Sequence, residues 1–206
     1  MTNQNLRYWC ELYQQHKREA LAVDIETKHY DGPISVVSMY RKKSEWDAEL
    51  MQFVNDGDDH SLALKDEFGK AKLLITFNGL AHDIPKLQSE YPQAIQEDVR
   101  VLDLCVLARS IGLKGGLKNM ETVMGIKRSK EARQAEGKTH YLWRRITESE
   151  DEAALIQLLE YASDDVRNLF DLAEWLIEWA EAKMNLEKTP VNRMHEMSTS
   201  PILKML

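Results

Sequence analysis

From Leu155 to Ile177, nine apolar residues (Leu155, Leu158, Leu159, Ala162, Val166, Leu169, Phe170, Ala173 and Ile177) recur at intervals of three, one, three, four, three, one, three and four. That spacing keeps them on one face of a long α-helix. An apolar face of that length needs a broad apolar surface to lie against, and the segments ahead of it supply one. Ala20-Leu-Ala-Val-Asp-Ile-Glu26 reads as a buried strand, and Ile34 to Tyr40, after Gly32-Pro33, as a second. A third is expected within Trp46 to Val54. Leu73 to Phe77 makes a fourth, ended by Asn78-Gly79, and Val99 to Ala108 runs from a fifth strand into a helix. Helices are expected over 5–18, over 62–71 and from Pro85, which suits a first turn. Strands in a meander, then strands alternating with helices, predict a mixed five-stranded sheet flanked by helices, an α/β fold. Ser149 with Glu152 forms a capping box for the long helix, with Thr147 as the other candidate cap.

The 206 residues suffice for one domain with extensions, and for a core that needs no disulfide or metal staple. The 34 acidic against 27 basic residues, a formal net charge of −7, argue against attachment to nucleic acid or an anionic membrane by bulk charge alone. The charge is unevenly laid out, however. Arg100 to Arg145 carries eleven Lys/Arg against four Asp/Glu, and Ile146 to Lys183 carries two against eleven. A basic stretch beside an acidic helix reads either as two surfaces with separate tasks or as a solvated loop and a solvated helix face. No apolar run approaches the roughly 18 residues of a membrane span. The polar start Met-Thr-Asn-Gln-Asn lacks the layout of a signal peptide. Cys10 and Cys105 are the only cysteines, so a cytoplasmic protein with no membrane association is expected.

The informative anomaly is acidic. Asp24 and Glu26 sit in an otherwise buried strand, two apart, and therefore project side by side. Two such carboxylates raise each other's pKa at a cost of several kcal/mol unless a cation compensates, and oxygen-only ligands suit Mg²⁺ or Mn²⁺. Alternatively, Asp24 ends the strand and Glu26 reaches solvent. Asp83 stands where the chain after the fourth strand meets a helix, a position that also suits a simple cap. Tyr161 and Asp165, four apart, share a face of the long helix beside its apolar stripe. Asp164 should point further outward.

An acid pair on the first strand, an Asp after the fourth and Tyr-x-x-x-Asp on a late helix match one known order. The chain resembles the DEDD-type, DnaQ-like 3′–5′ exonucleases of the ribonuclease H-like superfamily. Within it, the chain is most similar to the YprB-like group and to predicted exonucleases akin to the proofreading domain of family B polymerases. The resemblance rests on Val-Asp24-Ile-Glu26-Thr27, Phe77-Asn78-Gly79 with Asp83-Ile-Pro85 and Leu87, and Leu102-Asp103-Leu104. It continues through Leu117-Lys118 ahead of Met124-Gly125-Ile126 to Tyr161 with Asp165-Val166 and Leu169, so it covers about residues 20–172. Three departures stand out. His82 replaces the usual Phe before the second-motif Asp; Lys28-His-Tyr-Asp-Gly32 replaces a Thr-Gly turn; and Glu160 stands where the His variant of the third motif would need histidine.

The resemblance implies a ribonuclease H-like domain over 19–183; outside it, the residue pattern predicts an N-terminal helical extension at 1–18 and, where the periodicity dissolves after Lys183, a flexible tail at 184–206. The resemblance also implies two divalent cations, Mg²⁺ or Mn²⁺, held by Asp24, Glu26, Asp83 and Asp165, with Tyr161 orienting the attacking water. Thr27, Asn78 and Lys118 are the implied substrate contacts, Asp103 a structural group. The implied partner is DNA or RNA with a 3′ end, hydrolysed to nucleoside 5′-monophosphates, with a protein partner possible through the tail. Lys114, Lys118, Lys127, Arg128 and Arg144 are then candidates to track the phosphate backbone, with Tyr141 and Trp143 as stacking groups. Other readings are a structure-specific endonuclease of the same fold and a non-catalytic binding or adaptor module.

Overall fold

In the computed structural model, which describes residues 3–44 and 46–186, the apolar run that begins at Ala20 becomes the central strand of the sheet. This strand, β1 (Ala20–Thr27), is fully buried over its first four residues because it is covered on both faces. Its antiparallel neighbour β2 (Ile34–Lys42) pairs in turn with β3 (Ala48–Val54). On the other side β4 (Leu73–Thr76) and β5 (Arg100–Asp103) join in parallel, giving the order β3-β2-β1-β4-β5. The mixed sheet expected from the strand pattern is therefore present.

Alternation divides the residues of β1 between two cores. Ala20 and Ala22 face the helix α8 (Glu152–Leu186), together with Leu73, Ile75, Val166, Leu169 and Phe170. Leu21 and Val23 face the opposite way, toward α2 (Ser61–Gly69) and α3 (Asp83–Glu90), with Leu64, Phe68, Ile84 and Leu87. The first helix, α1 (Asn3–His16), contributes Leu6, Cys10, Leu12 and Tyr13 to the α8 core, and the Tyr13 hydroxyl donates to Glu174 at 2.9 Å. Cys10 and Cys105 are both buried and free.

The turn after β4 sets where α3 begins. Asn78, at φ +64°, turns the chain sharply there, and a Cβ at Gly79 would come within 2.5 Å of Thr76. Only a residue that tolerates the left-handed region followed by glycine makes this turn. Asp103, 3% exposed at the end of β5, holds the turn in place. Its carboxylate accepts from the backbone N–H groups of Asn78 (2.9 Å) and Leu80 (3.1 Å). It also accepts from Cys105 (2.9 Å) and Val106 (3.3 Å), capping α4 (Leu104–Ser110).

The basic stretch is not the solvated loop that is one of its two readings: after β5 and α4 it folds into three short helices, α5 (Leu117–Met124), α6 (Lys130–Ala135) and α7 (Thr139–Ser149), all packed against α8. Ser149 therefore ends α7 instead of capping α8. Asp151 takes the capping role, accepting from the Ala154 N–H at 3.0 Å. Asp164 turns inward to accept from the Ser129 N–H at 2.7 Å, and Ser129 caps α6. Of the tail expected at 184–206, everything beyond Leu186 lies outside the described residues. No helix among the described residues is long and apolar enough to cross a membrane.

Candidate active site

Asp24 and Glu26 continue the row of Ala20 and Ala22, so their carboxylates point at α8. Tyr161 and Asp165, one turn apart on α8 and 7% and 5% exposed, face them. One carboxylate oxygen each from Asp24, Glu26 and Asp165 lies within 4.8 Å of the others. Asp83, buried as the first residue of α3, is not part of that group of three, although its charge is felt at Asp24 and Glu26.

Crowding and burial resist ionisation here. Asp24 is held well above the ordinary carboxylate range, first by burial, then by Asp165, Asp83 and Glu26. Burial, then Asp165, pushes the Glu26 carboxyl up to about 8, against a hydrogen bond from Thr139 and the charge of Lys118. Asp83 is raised to about 7 by burial and then by Asp103. Three carboxylates that cost free energy to ionise together, and offer only oxygen, match the donor set of a hard divalent cation.

These raised values make stability depend on pH. The folded site keeps protons that the unfolded chain releases near the ordinary carboxyl pKa. The resulting stability is full below that pKa and is lost as pH rises through about 8. The melting temperature of ion-free protein should therefore fall between about pH 5 and pH 8.5. A cation displaces those protons, so the melting-temperature rise on adding Mg²⁺ should be larger at about pH 8 than at pH 6. An equal rise at both values, or none, would mean that these acids do not bind the ion.

Two cations flank the cluster. The Lys118 ammonium donates to the Tyr161 hydroxyl at 2.7 Å and lies 4.8 Å from the ring centroid. Burial foremost, then Asp165, Glu26 and Asp24, drives the phenol pKa upward, so Tyr161 stays protonated. Because Lys118 occupies a lone pair of the oxygen, the O–H remains available to donate. Under the activity that the resemblance implies, Lys118→Met should therefore lower turnover roughly tenfold to a hundredfold through misplacement of that hydroxyl. Its side chain is 34% exposed, so the melting temperature should move by no more than about 2 °C. Comparing turnover with thermal melts checks both.

Arg128 requires a correction. Expected on an exposed phosphate-tracking surface, its side chain is only 7% exposed. Its guanidinium forks onto Glu121 at 2.6 and 2.9 Å and donates from Nη2 to Asp165 Oδ1. The physical reason is Glu121, 2% exposed, which could not be buried as an anion without such a partner. Glu121 carried a signal in the sequence. Leu117, Met120, Glu121 and Met124 have the spacing of an apolar helix face, with an acid at one of its positions.

Among the other expected contacts, Thr27 Oγ1 lies 3.4 Å from His140 Nε2 at the end of β1, and Asn78 occupies the left-handed turn. His82 is exposed at the N-terminus of α3. Lys114, Lys127 and Arg144 are exposed, and Tyr141 lies under the guanidinium groups of Arg144 and Arg145. Trp143, expected as a stacking group, is instead 6% exposed within the core beside Leu142 and Tyr161.

Residues 21–177 match a family model described as the RNase_H superfamily. Among solved structures, the chain is similar to the family B DNA polymerase from the hyperthermophilic archaeon Pyrobaculum calidifontis, with a TM-score of 0.55 and 21% sequence identity. That likeness covers 77% of this chain and 24% of the polymerase, and is one of fold. No curated protein matches.

Proposed function

Because this chain belongs to the RNase_H superfamily, we propose that it is a metal-dependent 3′–5′ exonuclease of the DEDD type, in the variant whose third motif carries tyrosine. Its substrate is single-stranded DNA or RNA, and its products are nucleoside 5′-monophosphates. The observation that carries this reading is the convergence of Asp24, Glu26 and Asp165, with Tyr161, from the two ends of the domain.

Asp24, Glu26 and Asp165 would hold the divalent ions, Mg²⁺ or Mn²⁺, and Asp83, outside that group of three, would support them. A divalent cation bound by these acids supplies Lewis acidity at a phosphodiester and makes water a nucleophile near neutral pH. Tyr161, protonated and held by Lys118, donates its O–H to position the attacking water or a phosphoryl oxygen. It is not the base, since its pKa lies far above neutrality. Lys118 adds positive charge beside the phosphate. Thr27 and Asn78, at the carboxyl ends of β1 and β4, contact the terminal nucleotide. The basic face of 100–145, less Arg128 and Trp143, tracks the strand.

The test is digestion of 5′-end-labelled single-stranded DNA and RNA with Mn²⁺. A ladder shortening uniformly from the 3′ end supports the reading. Internal fragments without such a ladder would make the enzyme an endonuclease of the same fold. Substrates left intact across metals would sink the assignment.

A further inference from the structure

Behind the acid cluster lies a chain of buried and half-buried polar groups that phosphodiester hydrolysis by the acids and Tyr161 does not use. Asn168, on α8 three residues after Asp165, donates from Nδ2 to Glu121 Oε1 at 2.9 Å. Glu121 grips Arg128 through both carboxylate oxygens. Arg128 Nη2 reaches Asp165 Oδ1, while Arg128 Nη1 is buried with no hydrogen-bond partner among the described residues. The guanidinium also lies 5.6 Å from the centroid of the Tyr161 ring. A planar fork fixed on one edge by a buried carboxylate has little freedom at its other edge. Asp165 is therefore tied by one oxygen before any ion arrives.

We propose that Arg128 is a positioning residue of the metal site: braced by Glu121 and Asn168, it occupies Oδ1 of Asp165 and leaves Oδ2 turned to the cation. The proposal rests on the reading of Asp24, Glu26 and Asp165 as ion ligands and adds what orients the third. Arg128, ion-paired with Asp165, holds that carboxylate in place beside Asp24 and Glu26 before an ion arrives. Groups that orient a metal ligand from behind change metal affinity by about 10–100-fold when removed.

The experiment is Mn²⁺ titration of the full chain by calorimetry, with the electron paramagnetic resonance spectrum of bound Mn²⁺ as a second readout. Arg128→Gln should weaken Mn²⁺ binding by about 10–100-fold and alter the spectrum. The double variant R128Q/E121Q removes the Glu121 charge together with its cation, so Glu121 is not left as an unpaired buried anion, and it should show the same loss. Glu121→Gln, with every ion ligand and Arg128 intact, should weaken binding in the same direction by a smaller factor. Arg128→Lys, which keeps the charge but not the fork, should recover only part of the affinity. Tighter Mn²⁺ binding in R128Q would overturn the proposal by making Arg128 a competitor of the ion. Unchanged affinity in the folded double variant would overturn it equally. In both cases wild-type protein still binds Mn²⁺ and the reading of the acid site stands. Wild-type protein that binds no more Mn²⁺ than Asp24→Asn would remove that reading, and this proposal with it.

Discussion

Asp24→Asn should lower nucleolytic turnover by roughly a thousandfold or more, about 4 kcal/mol of lost transition-state stabilisation, while making the ion-free protein harder to melt. Both effects come from one position. Asp24 stands between Glu26, Asp83 and Asp165, and all three charges oppose its ionisation. The amide is nearly the same size and cannot ionise, so it removes the cost of keeping Asp24 protonated in the fold, without opening a cavity. For a chain of this length, relief of about 1 kcal/mol corresponds to roughly 2–4 °C in melting temperature. The Mg²⁺-dependent rise should disappear in the same variant. Paired melts with and without Mg²⁺, beside the end-labelled digestion, read all three outcomes. A variant less stable than wild type without ions would show that the site does not oppose ionisation of Asp24. Full activity in a well-folded variant would dismiss Asp24 from the chemistry.

Asp103→Ala should have the largest effect on stability, at a residue placed outside the ion ligands. Four backbone N–H groups converge on its carboxylate, from the turn after β4 and from the first turn of α4. Alanine would leave these donors unpaired at a site only 3% exposed, at a cost of about 2–4 kcal/mol. The melting temperature should drop by roughly 5–12 °C. Activity should fall as well, because the loosened turn leads directly into Asp83. Asp103→Asn keeps one acceptor oxygen and should lose about half as much stability. If alanine and asparagine were equally mild, the turn would be held by other contacts, such as the fit of Gly79 against Thr76.

The sheet was legible in the sequence because its strands are apolar runs bounded by Gly, Pro and Asn, and because a strand buried on both faces leaves little freedom in how it pairs. The acid pair was legible for the opposite reason, as charge placed where a continuous apolar run was otherwise unbroken. The three helices between Leu117 and Ser149 were not. They are short and charged, and contacts with α8 decide them more than their own periodicity does. The cap of α8 was misplaced for a related reason. Ser149-x-x-Glu152 satisfies the local pattern, but α7 runs through Ser149 and Asp151 does the capping. Arg128 read as a surface cation because nothing local pairs it. Its partners Glu121 and Asp165 lie seven and thirty-seven positions away, and only the packing of α5 on α8 brings them together.

The groups that gather around one point are drawn from a strand that opens the domain and a helix that closes it. A ribosome must therefore have delivered almost the whole domain before the last of these oxygens can join the first. Polypeptides stalled or terminated before Asp165 carry at most Asp24 and Glu26 of these three acids. Under the proposed activity, such fragments cannot attack nucleic acid in their surroundings, the message being translated included. Topology alone thus withholds the cutting power during synthesis.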